Sequence, residues 1–345
     1  MTAFCPLVPK AVRELLEEHG FSQNLPARSA AFMSSIRTAF VLGAGLGTRL
    51  RAITLRRPKP LIPVVNRPLI TYAFDHLLGG GVERLVVNTH WQAERYAEFF
   101  PDASYRGTPL FFRHESPEVL ETAGGIWNVR DLLGDEPFIV YNGDIFTDLP
   151  LAPALRAQRE NGNEVTLVLR SKDGPLQVAC DTASGRVTDL SRRIDPASDL
   201  RFLFTGIDLV SPEFIRRIPP ATKISVVPIF CEMIRAGAKL GGVVIDDGSW
   251  RDLGSREEYL AVHATLAAVG AGGDAWIHPT AHVARDARLS GATAIAPGAR
   301  VGAGAVLRDC LVWENAEVAP GAHLTRCIVT RGARAEGTQT DFDFA

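Results

Sequence analysis

A glycine-rich turn with two nearby cations is the part of the sequence with the clearest capacity for chemistry. The run Gly43-Ala44-Gly45-Leu46-Gly47 follows an apolar segment, and Thr48-Arg49 comes directly after it. Glycine lacks a Cβ atom, so the backbone can approach a phosphate closely and turn successive N–H groups toward it. Lys59 stands between two prolines, which hold it in a stiff, extended segment. We therefore predict a triphosphate site here, with Arg49 and Lys59 as its cations.

The glycine turn is also compatible with a tight strand-to-helix connection or with a dinucleotide site. A dinucleotide site has its third glycine one position later than Gly47 and an acidic residue at the end of the next strand. Glu83 stands at the beginning of its predicted strand and not at its end. These departures favour a nucleoside triphosphate, and a helix after the turn is expected to add the positive end of its dipole.

Two aspartates follow other strand-like segments. Asp144 ends Asn142-Gly143-Asp144, and Asp252 lies in Ser249-Trp250-Arg251-Asp252-Leu253-Gly254-Ser255. Carboxylates together with phosphate oxygens are the ligands that Mg²⁺ prefers. A turn aspartate and a helix N-cap are the structural alternatives for Asp144 and Asp252 respectively.

The elements that must position these residues alternate between strand and helix. The predicted strands are 38–42, 83–88, 109–113 and 137–141, and the predicted helices are 68–79, 92–100 and 123–133, with Pro68 in a first helical turn. A second, mixed group contains helices near 151–160 and 224–236 and strands near 164–170 and 203–210. This order predicts a mixed, mostly parallel sheet with helices on both faces. Ligands of such sheets bind beyond the carboxyl ends of the strands, so the glycine turn and Asp144 are expected at one crevice.

The C-terminal part has a different period. Apolar residues recur every six positions, with one slip after the fifth: Ile277, Val283, Leu289, Ile295, Val301, Val312, Val318 and Leu324. A short fixed period predicts a solenoid, and this one resembles the hexapeptide left-handed parallel β-helix, with about three coils. The predicted parts of the chain are an N-terminal extension at 1–36, an α/β domain at 37–268, a linker at 269–275, a β-helix at 276–335 and a tail at 336–345.

Composition excludes several classes of protein. The net charge of -2 offers no basic excess for a nucleic-acid tract, and no apolar run is long enough to span a bilayer. With no signal-peptide pattern, we expect a cytoplasmic protein. The cysteines show no Cys-x-x-Cys spacing and are expected to be reduced, buried thiols: Cys5, Cys180, Cys231, Cys310 and Cys327.

The glycine turn and the Pro-Lys-Pro segment together resemble the signature of sugar-1-phosphate nucleotidyltransferases. The resemblance extends along the chain. Leu120-Glu121-Thr122-Ala123-Gly124 resembles the family's base segment, Asn142-Gly143-Asp144 its metal segment, and Phe204-Thr205-Gly206 its sugar loop. The stretch from Trp250 to Ser255 resembles its W-x-D-x-G-T segment, with serine replacing threonine. The implied fold is a Rossmann-like nucleotidyltransferase domain followed by a left-handed β-helix.

The resemblance implies in-line transfer of a nucleotide from an NTP to a sugar 1-phosphate. Arg49 would hold the pyrophosphate, Lys59 would lie near the α-phosphate, and Asp144 and Asp252 would bind Mg²⁺. The implied nucleotide-binding residues are Gly43, Ala44, Gly45, Gly47, Thr48, Thr122, Ala123 and Gly124. The implied sugar-phosphate residues are Asn142, Gly143, Thr205 and Gly206.

One departure concerns the family's Glu-Lys-Pro segment, whose lysine binds the sugar phosphate. The comparable stretch here contains Arg192 and Arg193, which either take that role or form a solvated basic pair; Lys223 is a further candidate. Segment 120–148 resembles N-acetylmuramate-1-phosphate uridylyltransferases, whereas the two-domain layout resembles mannose-1-phosphate guanylyltransferases. Both substrate pairs stay open.

Two further classes of protein share parts of this pattern. A hexapeptide acyltransferase would use a histidine base, for which His278, His282 and His323 are available. A non-catalytic nucleotide-sugar sensor should have lost Arg49, Lys59 or one of the aspartates, and all are present. Homo-oligomerisation or domain packing is the expected role of the β-helix.

Overall fold

The computed structural model describes residues 36–45, 47–55, 57–269 and 275–345. The predicted N-terminal extension lies outside these residues except for Ile36, and so do residues 270–274 of the predicted linker. Internal contacts divide the described chain into two compact units. We call residues 36–45 and 72–251 the sheet unit, and residues 47–71 and 252–345 the β-helix unit. The predicted α/β domain is thus divided between the two.

The sheet unit is built on one large sheet of ten strands. They are β1 (Thr38–Leu42), β4 (Arg84–Thr89), β5 (Ser104–Tyr105), β6 (Thr108–His114), β7 (Phe138–Asn142), β9 (Val165–Arg170), β10 (Val178–Asp181), β11 (Arg186–Leu190), β12 (Leu203–Val210) and β13 (Leu240–Val244). Their order in the sheet is β10-β11-β13-β9-β12-β7-β1-β4-β6-β5. β1 is parallel to both β4 and β7, while β12 runs antiparallel between β7 and β9. The predicted mixed, mostly parallel sheet is confirmed.

The helices of this region match the predicted ones with two differences. They are α1 (Ile70–Gly79), α2 (Glu94–Phe99), α3 (Glu121–Asn128), α4 (Arg130–Leu133), α5 (Ala152–Asn161) and α6 (Val226–Arg235). The single helix predicted at 123–133 is two helices, because the backbone leaves helical geometry at Val129. Pro68 does not open α1 but ends the short strand β3 (Arg67–Pro68), which pairs with β2 (Pro63–Val64).

Packing of α3 and α6 against the sheet forms the core of the sheet unit. Ala123 and Ile126 of α3 and Ile229 and Phe230 of α6 are fully or almost fully buried with Val140 of β7. Burial of large apolar side chains stabilises the fold by about 1.5–3 kcal/mol each. Two short strands lie next to the predicted metal ligands. β8 (Ile145–Thr147) follows the Asn-Gly-Asp turn, and β14 (Trp250–Asp252) begins the W-x-D-x-G segment.

The C-terminal strands form three parallel ladders, which is the predicted parallel β-helix. The first ladder contains β15 (Trp276–Ile277), β18 (Ala294–Ile295), β21 (Leu311–Val312), β24 (Ile328–Val329) and β27 (Asp343–Phe344). The second contains β16 (His282–Val283), β19 (Arg300–Val301), β22 (Glu317–Val318) and β25 (Arg334–Ala335). The third contains β17 (Arg288–Ser290), β20 (Val306–Arg308), β23 (His323–Thr325) and β26 (Thr338–Thr340).

The ladders correct two predictions. About three coils were predicted, but the ladders make four coils and a further strand. The residues expected to be a tail, 336–345, contain β26 and β27, which pair with β23 and β24. The slip in the six-residue period falls after Leu307, a buried position that continues the repeat and that the sequence pattern missed.

The rest of the β-helix unit carries the predicted cations. It includes two 3₁₀ helices, Thr48–Thr54 and Lys59–Leu61, the β2–β3 hairpin and helix α7 (Arg256–Val269). The helix expected to follow the glycine turn is therefore a 3₁₀ helix and not an α-helix. None of the helices in the described chain is long and apolar enough to cross a membrane.

Candidate active site

In the β-helix unit, one carboxylate holds both predicted cations. Lys59 Nζ donates a hydrogen bond to Asp252 Oδ1 at 3.0 Å, and Arg49 Nη2 donates to Asp252 Oδ2 at 3.1 Å. The Lys59 side chain is only 5% exposed, whereas that of Arg49 is 67% exposed. The cluster therefore contains one buried cation and one solvated cation.

The charge state of Asp252 follows from these contacts. Burial by itself would raise the pKa of this carboxyl, but the attraction and hydrogen bonds of Lys59 and Arg49 lower its pKa below the ordinary value. Asp252 is consequently ionised at neutral pH. Two cations on one carboxylate leave a net positive charge, which suits an anionic ligand.

Local backbone features position these side chains. Pro58 is extended, with φ −53° and ψ 141°, and Lys59 begins the short 3₁₀ helix directly after it. At the other end of the cluster, a Cβ atom at Gly254 would lie 2.4 Å from Arg49 Nη1, so glycine is needed for the guanidinium to reach Asp252. Gly47 has φ +61° and its carbonyl accepts a hydrogen bond from Thr54 Oγ1 at 2.9 Å.

In the sheet unit, the first part of the glycine turn is held by a buried polar network. Gly43 N donates to Asn88 Oδ1 at 2.8 Å, and the Tyr96 hydroxyl donates to Gly43 O at 3.0 Å. Burial, reinforced by the charge of Asp144, raises the pKa of Tyr96 and keeps its hydroxyl protonated. A Cβ at Gly43 would lie 2.6 Å from Asn88 O, so the turn admits only glycine at this position.

The Asn-Gly-Asp turn lies beside the glycine turn, as the sheet order requires. Leu42 is in register with Asn142 on the neighbouring parallel strand, and Gly143 N donates to Leu42 O at 3.1 Å. Both turns therefore leave the same edge of the sheet. Asp144, the next residue, is half-buried between β7 and β8.

The predicted sugar loop packs against the same turn. Gly206 has φ +81°, and a Cβ there would lie 2.4 Å from Asn142 Nδ2. The segment predicted as a sugar loop lies within strand β12, where the pairing of β12 with β9 shifts register between Phe204 and Asp208. Trp250 Nε1 donates to Thr205 O at 2.9 Å, so the W-x-D-x-G segment supports the sugar loop. Such bulges re-aim backbone groups next to functional sites.

The predicted base segment opens helix α3, and two of its amides already have partners. Ala123 N and Gly124 N both donate to Ile224 O at 3.0 Å, and both residues are buried. These amides are therefore not available to a base. Thr122 is half-buried, and Glu121 before it has φ +61°, a left-handed conformation that strains a residue with a Cβ.

Glu115 links the base segment to the glycine turn. Its Oε1 accepts from Asn88 Nδ2 and its Oε2 accepts from Leu120 N, both at 2.7 Å. Since Asn88 also bonds Gly43, three side-chain contacts connect the glycine turn to Leu120, the residue before α3. Neither Asn88 nor Glu115 was predicted from the sequence. The signal was available, because both are polar residues at or just after the carboxyl ends of strands, the position from which ligand-binding residues come.

The remaining predicted residues are less closely tied to this edge. Arg192 and Arg193 are exposed in a turn whose backbone N–H groups, from Arg193 to Asp195, donate to the Asp189 carboxylate. Lys223 Nζ lies 2.8 Å from Glu118 Oε2, and its neighbour Ile224 is the residue that bonds the base segment. Lys223 is thus next to the predicted base segment.

The carboxylates predicted as metal ligands are Asp144 in the sheet unit and Asp252 in the β-helix unit. Within the described ranges, no three His, Cys, Asp or Glu side chains form a cluster that could hold a metal ion by themselves. Mg²⁺ in nucleotide sites commonly takes one or two carboxylates and completes its shell with phosphate oxygens and water. Asp252 suits this use: it is ionised, each of its oxygens accepts one hydrogen bond, and lone pairs remain on both.

The histidines of the β-helix do not converge. His282 lies in the first coil of the second ladder, and His323 lies in the third coil of the third ladder. His278 Nδ1 contacts its neighbour Thr280 Oγ1 at 3.0 Å. Cys310 and Cys327 lie in successive coils and are buried free thiols, as expected.

Comparison with known proteins places these observations in a family. The nucleotidyl transferase family model matches residues 38–177. Mannose-1-phosphate guanylyltransferase of Mycobacterium tuberculosis is 31% identical over 307 residues, which are 85% of this chain and 83% of that protein. N-acetylmuramate alpha-1-phosphate uridylyltransferase of Neisseria meningitidis is 29% identical over 63% of this chain and 93% of its own length.

A solved structure agrees on the fold. The inositol-1-phosphate CTP transferase from T. maritima superposes with a TM-score of 0.55 at 21% identity, covering 66% of this chain and 93% of that chain.

Proposed function

Since this chain belongs to the family of sugar-1-phosphate nucleotidyltransferases, we propose that it joins GTP to mannose 1-phosphate, giving GDP-mannose and pyrophosphate. The observation that supports this choice of substrates is the identity of the match together with its extent, 31% over 307 residues. The similarity to a mannose-1-phosphate guanylyltransferase covers 85% of the chain, far beyond the residues of the sheet unit.

The reaction is an in-line displacement at the α-phosphorus. A phosphate oxygen of the sugar 1-phosphate forms a bond to the α-phosphorus of the NTP, while the bond from that phosphorus to the α–β bridging oxygen breaks. The bridging oxygen leaves with the electron pair as part of pyrophosphate. Catalysis of this kind depends on positioning and on stabilising charge in the transition state.

The two cations would have different roles that suit their exposure. Lys59, buried and fixed on Asp252, would stabilise charge at the α-phosphate, because a preorganised cation costs no reorganisation during the reaction. Arg49, whose side chain is largely in solvent, would exchange its contact with Asp252 for the pyrophosphate group, which a planar guanidinium binds through two N–H groups.

Asp144 and Asp252 are proposed as the ligands of Mg²⁺. The support is the chemistry of the donors, because carboxylates suit a hard cation and Asp252 is ionised with lone pairs left on both oxygens. When bound, Mg²⁺ would neutralise negative charge on the phosphates. The protein groups also orient one another. Asp252 holds Lys59, and the charge of Asp144 lies close enough to raise the pKa of Tyr96, which bonds the glycine turn.

The other residues that the family resemblance implies would bind the rest of the substrates. Gly43, Ala44, Gly45, Gly47 and Thr48 would bind the triphosphate. Thr122 would face the base, while Ala123 and Gly124 would shape its pocket through their small size, because their amides are engaged with Ile224. Asn142, Gly143, Thr205 and Gly206 would line the sugar phosphate, with Arg192 and Arg193 as its surrounding cations.

A second substrate pair is UTP with N-acetylmuramate 1-phosphate. The specific observation in its favour is that the similarity to an N-acetylmuramate alpha-1-phosphate uridylyltransferase covers 93% of that protein.

Homo-oligomerisation through the β-helix also stays a prediction.

The test is a screen for pyrophosphate release with purified protein and Mg²⁺. It crosses four NTPs with mannose, glucose, N-acetylglucosamine and N-acetylmuramate 1-phosphates. We expect the fastest release with GTP and mannose 1-phosphate, and a loss of at least about 100-fold in Lys59→Ala. Fastest release with UTP and N-acetylmuramate 1-phosphate would select the second pair.

Controls separate the enzyme from other functions. Lys172→Ala removes an exposed lysine of the sheet unit and should leave turnover unchanged. Absence of pyrophosphate release with every pair would contradict the proposal and favour a sensor. Consumption of acetyl-CoA would instead indicate an acyltransferase.

A further inference from the structure

The segment that carries Lys59 is anchored to the β-helix by a buried arginine. Arg57 donates two parallel hydrogen bonds to Glu314, from Nη1 to Oε1 at 3.1 Å and from Nη2 to Oε2 at 3.0 Å. The side chains of Arg57 and Glu314 are 4% and 20% exposed. Bidentate pairs of this kind fix orientation as well as distance, and burial protects them from screening by salt.

An aromatic contact reinforces the anchor. The guanidinium carbon of Arg57 lies 4.9 Å from the centroid of the Trp313 ring, and Trp313 is buried. Stacking on an indole is a property of arginine that lysine does not reproduce. Trp313 and Glu314 come directly after β21, so one turn of the β-helix supplies both contacts.

That turn is itself held by coils on both sides. Trp313 N donates to Val329 O at 2.9 Å in the following coil, and Asn315 N donates to Pro297 O at 3.1 Å in the preceding coil. The carboxylate of Glu314 is therefore presented from a rigid element. This distinguishes it from a surface glutamate, whose ion pair contributes little.

The anchor is close to the reactive lysine along the chain. Only Pro58 separates Arg57 from Lys59, and a proline restricts its own φ and the conformation of the residue before it. Fixing Arg57 consequently limits where Lys59 can lie. Asp252, the partner of Lys59, is also near an anchor: Arg256 donates to Asp343 Oδ1 at 2.7 Å, to Asp341 and to Arg326 O.

We propose that Glu314 is a positioning residue for catalysis: through Arg57 it holds Lys59 on Asp252. The β-helix thereby helps to fix the geometry of the catalytic residues. The inference rests on the proposed function for its effect on turnover. In this role the β-helix acts within a single chain, independently of any oligomer.

The test compares Glu314→Gln with Glu314→Asp in the full-length protein. The first measurement is kcat and KM for pyrophosphate release with the substrate pair selected by the screen. The second is the rate at which Lys59 is acylated by an amine-reactive ester, followed by peptide mass spectrometry with the exposed Lys172 as internal reference. Glu317→Gln is the matched control, because Glu317 pairs with Arg334 on an exposed face of the β-helix.

We expect Glu314→Gln to lower kcat at least about 10-fold, change KM for the NTP less than about 3-fold, and raise the acylation rate of Lys59 at least about 3-fold. Glu314→Asp keeps the charge and should recover part of the kcat. Circular dichroism should show that all variants remain folded. Glu317→Gln should match the wild type in each measurement.

Two outcomes would overturn the proposal. One is wild-type kcat and wild-type Lys59 acylation in Glu314→Gln. The other is a fall in kcat without any change in Lys59 acylation, which would show that the effect does not run through the lysine. Failure of the wild type to release pyrophosphate would contradict the proposed function, whereas the acylation comparison would still decide the positioning.

Discussion

Lys59 Nζ lies 3.0 Å from Asp252 Oδ1, although the two residues are 193 positions apart in the chain. Two short motifs, Pro-Lys-Pro and W-x-D-x-G, thus meet at a single ion pair. The lysine is buried and the aspartate is about one-third exposed. Because a buried cation without its partner is strongly unfavourable, the pair fixes the lysine before any phosphate arrives.

Asp144→Asn should impair metal use without unfolding the protein. The substitution keeps the shape of a half-buried turn residue and removes one negative charge. We expect turnover to fall at least about 100-fold at saturating substrate and the Mg²⁺ concentration for half-maximal rate to rise. Asp199→Asn, which removes an exposed carboxylate, is the control. An unchanged Mg²⁺ titration would remove Asp144 from the metal site.

Glu115→Gln should weaken binding of the nucleotide. Glutamine offers one acceptor where the carboxylate offers two, so either Asn88 Nδ2 or Leu120 N then faces an N–H group. A buried donor without a partner costs about 1–3 kcal/mol, and we expect a lower melting temperature together with a KM for the NTP raised about 10-fold. Glu118→Gln alters only an exposed ion pair and should change neither the melting temperature nor the KM for the NTP. Equal KM values in the two variants would contradict the linking role of Glu115.

Gly254→Ala should displace Arg49 without disturbing the fold. The added Cβ would overlap the guanidinium, which is the flexible, exposed end of its side chain. We expect the melting temperature to stay constant and kcat/KM to fall about 10-fold, which corresponds to about 1.4 kcal/mol of transition-state stabilisation. The comparison is with Arg49→Ala, which should lose at least as much. If the double variant Gly254→Ala/Arg49→Ala lost the sum of the two single-variant losses in transition-state stabilisation, Gly254 would act independently of Arg49.

Acidification should destabilise the β-helix unit through His263. Its Nδ1–H donates to Tyr259 O and its Nε2 accepts from Val65 N, so the ring is neutral, and burial lowers its pKa from 6.5 to about 4. Between pH 6.5 and about pH 4, His263 is therefore protonated in the unfolded chain but neutral in the folded chain. Stability from this residue is complete above about pH 6.5 and is lost toward pH 4, at about 1.4 kcal/mol per pH unit.

The measurement is the free energy of unfolding by urea at about pH 6.5 and about pH 5. The wild type should lose about 1.5 kcal/mol more over this interval than His263→Leu, which is less stable but has no proton to gain. Equal losses in the two proteins would show that other groups govern the acid sensitivity.

Patterns of residues close together in the chain determined much of the fold of this protein. The glycine turn, the Pro-Lys-Pro segment and the six-residue period are encoded by adjacent residues, so the mixed sheet, the β-helix and the family followed from the sequence. The convergence of Gly43 and Gly143 followed as well, because parallel strands end at one edge. The fourth coil was missed because a second five-residue step, from Leu324 to Val329, interrupts the six-residue period at the start of that coil.

Tertiary structure decided which groups meet and which are already engaged. The pairing of Arg57 with Glu314 joins residues 257 apart and depends on how the coils stack, which no local pattern encodes. The same is true of the Ala123 and Gly124 amides, which bond Ile224 and leave Thr122 as the proposed contact to the base. Sequence therefore specified the chemical groups of the candidate site, while long-range packing specified their partners, since hydrogen bonds and ion pairs depend on distances that only the folded chain sets.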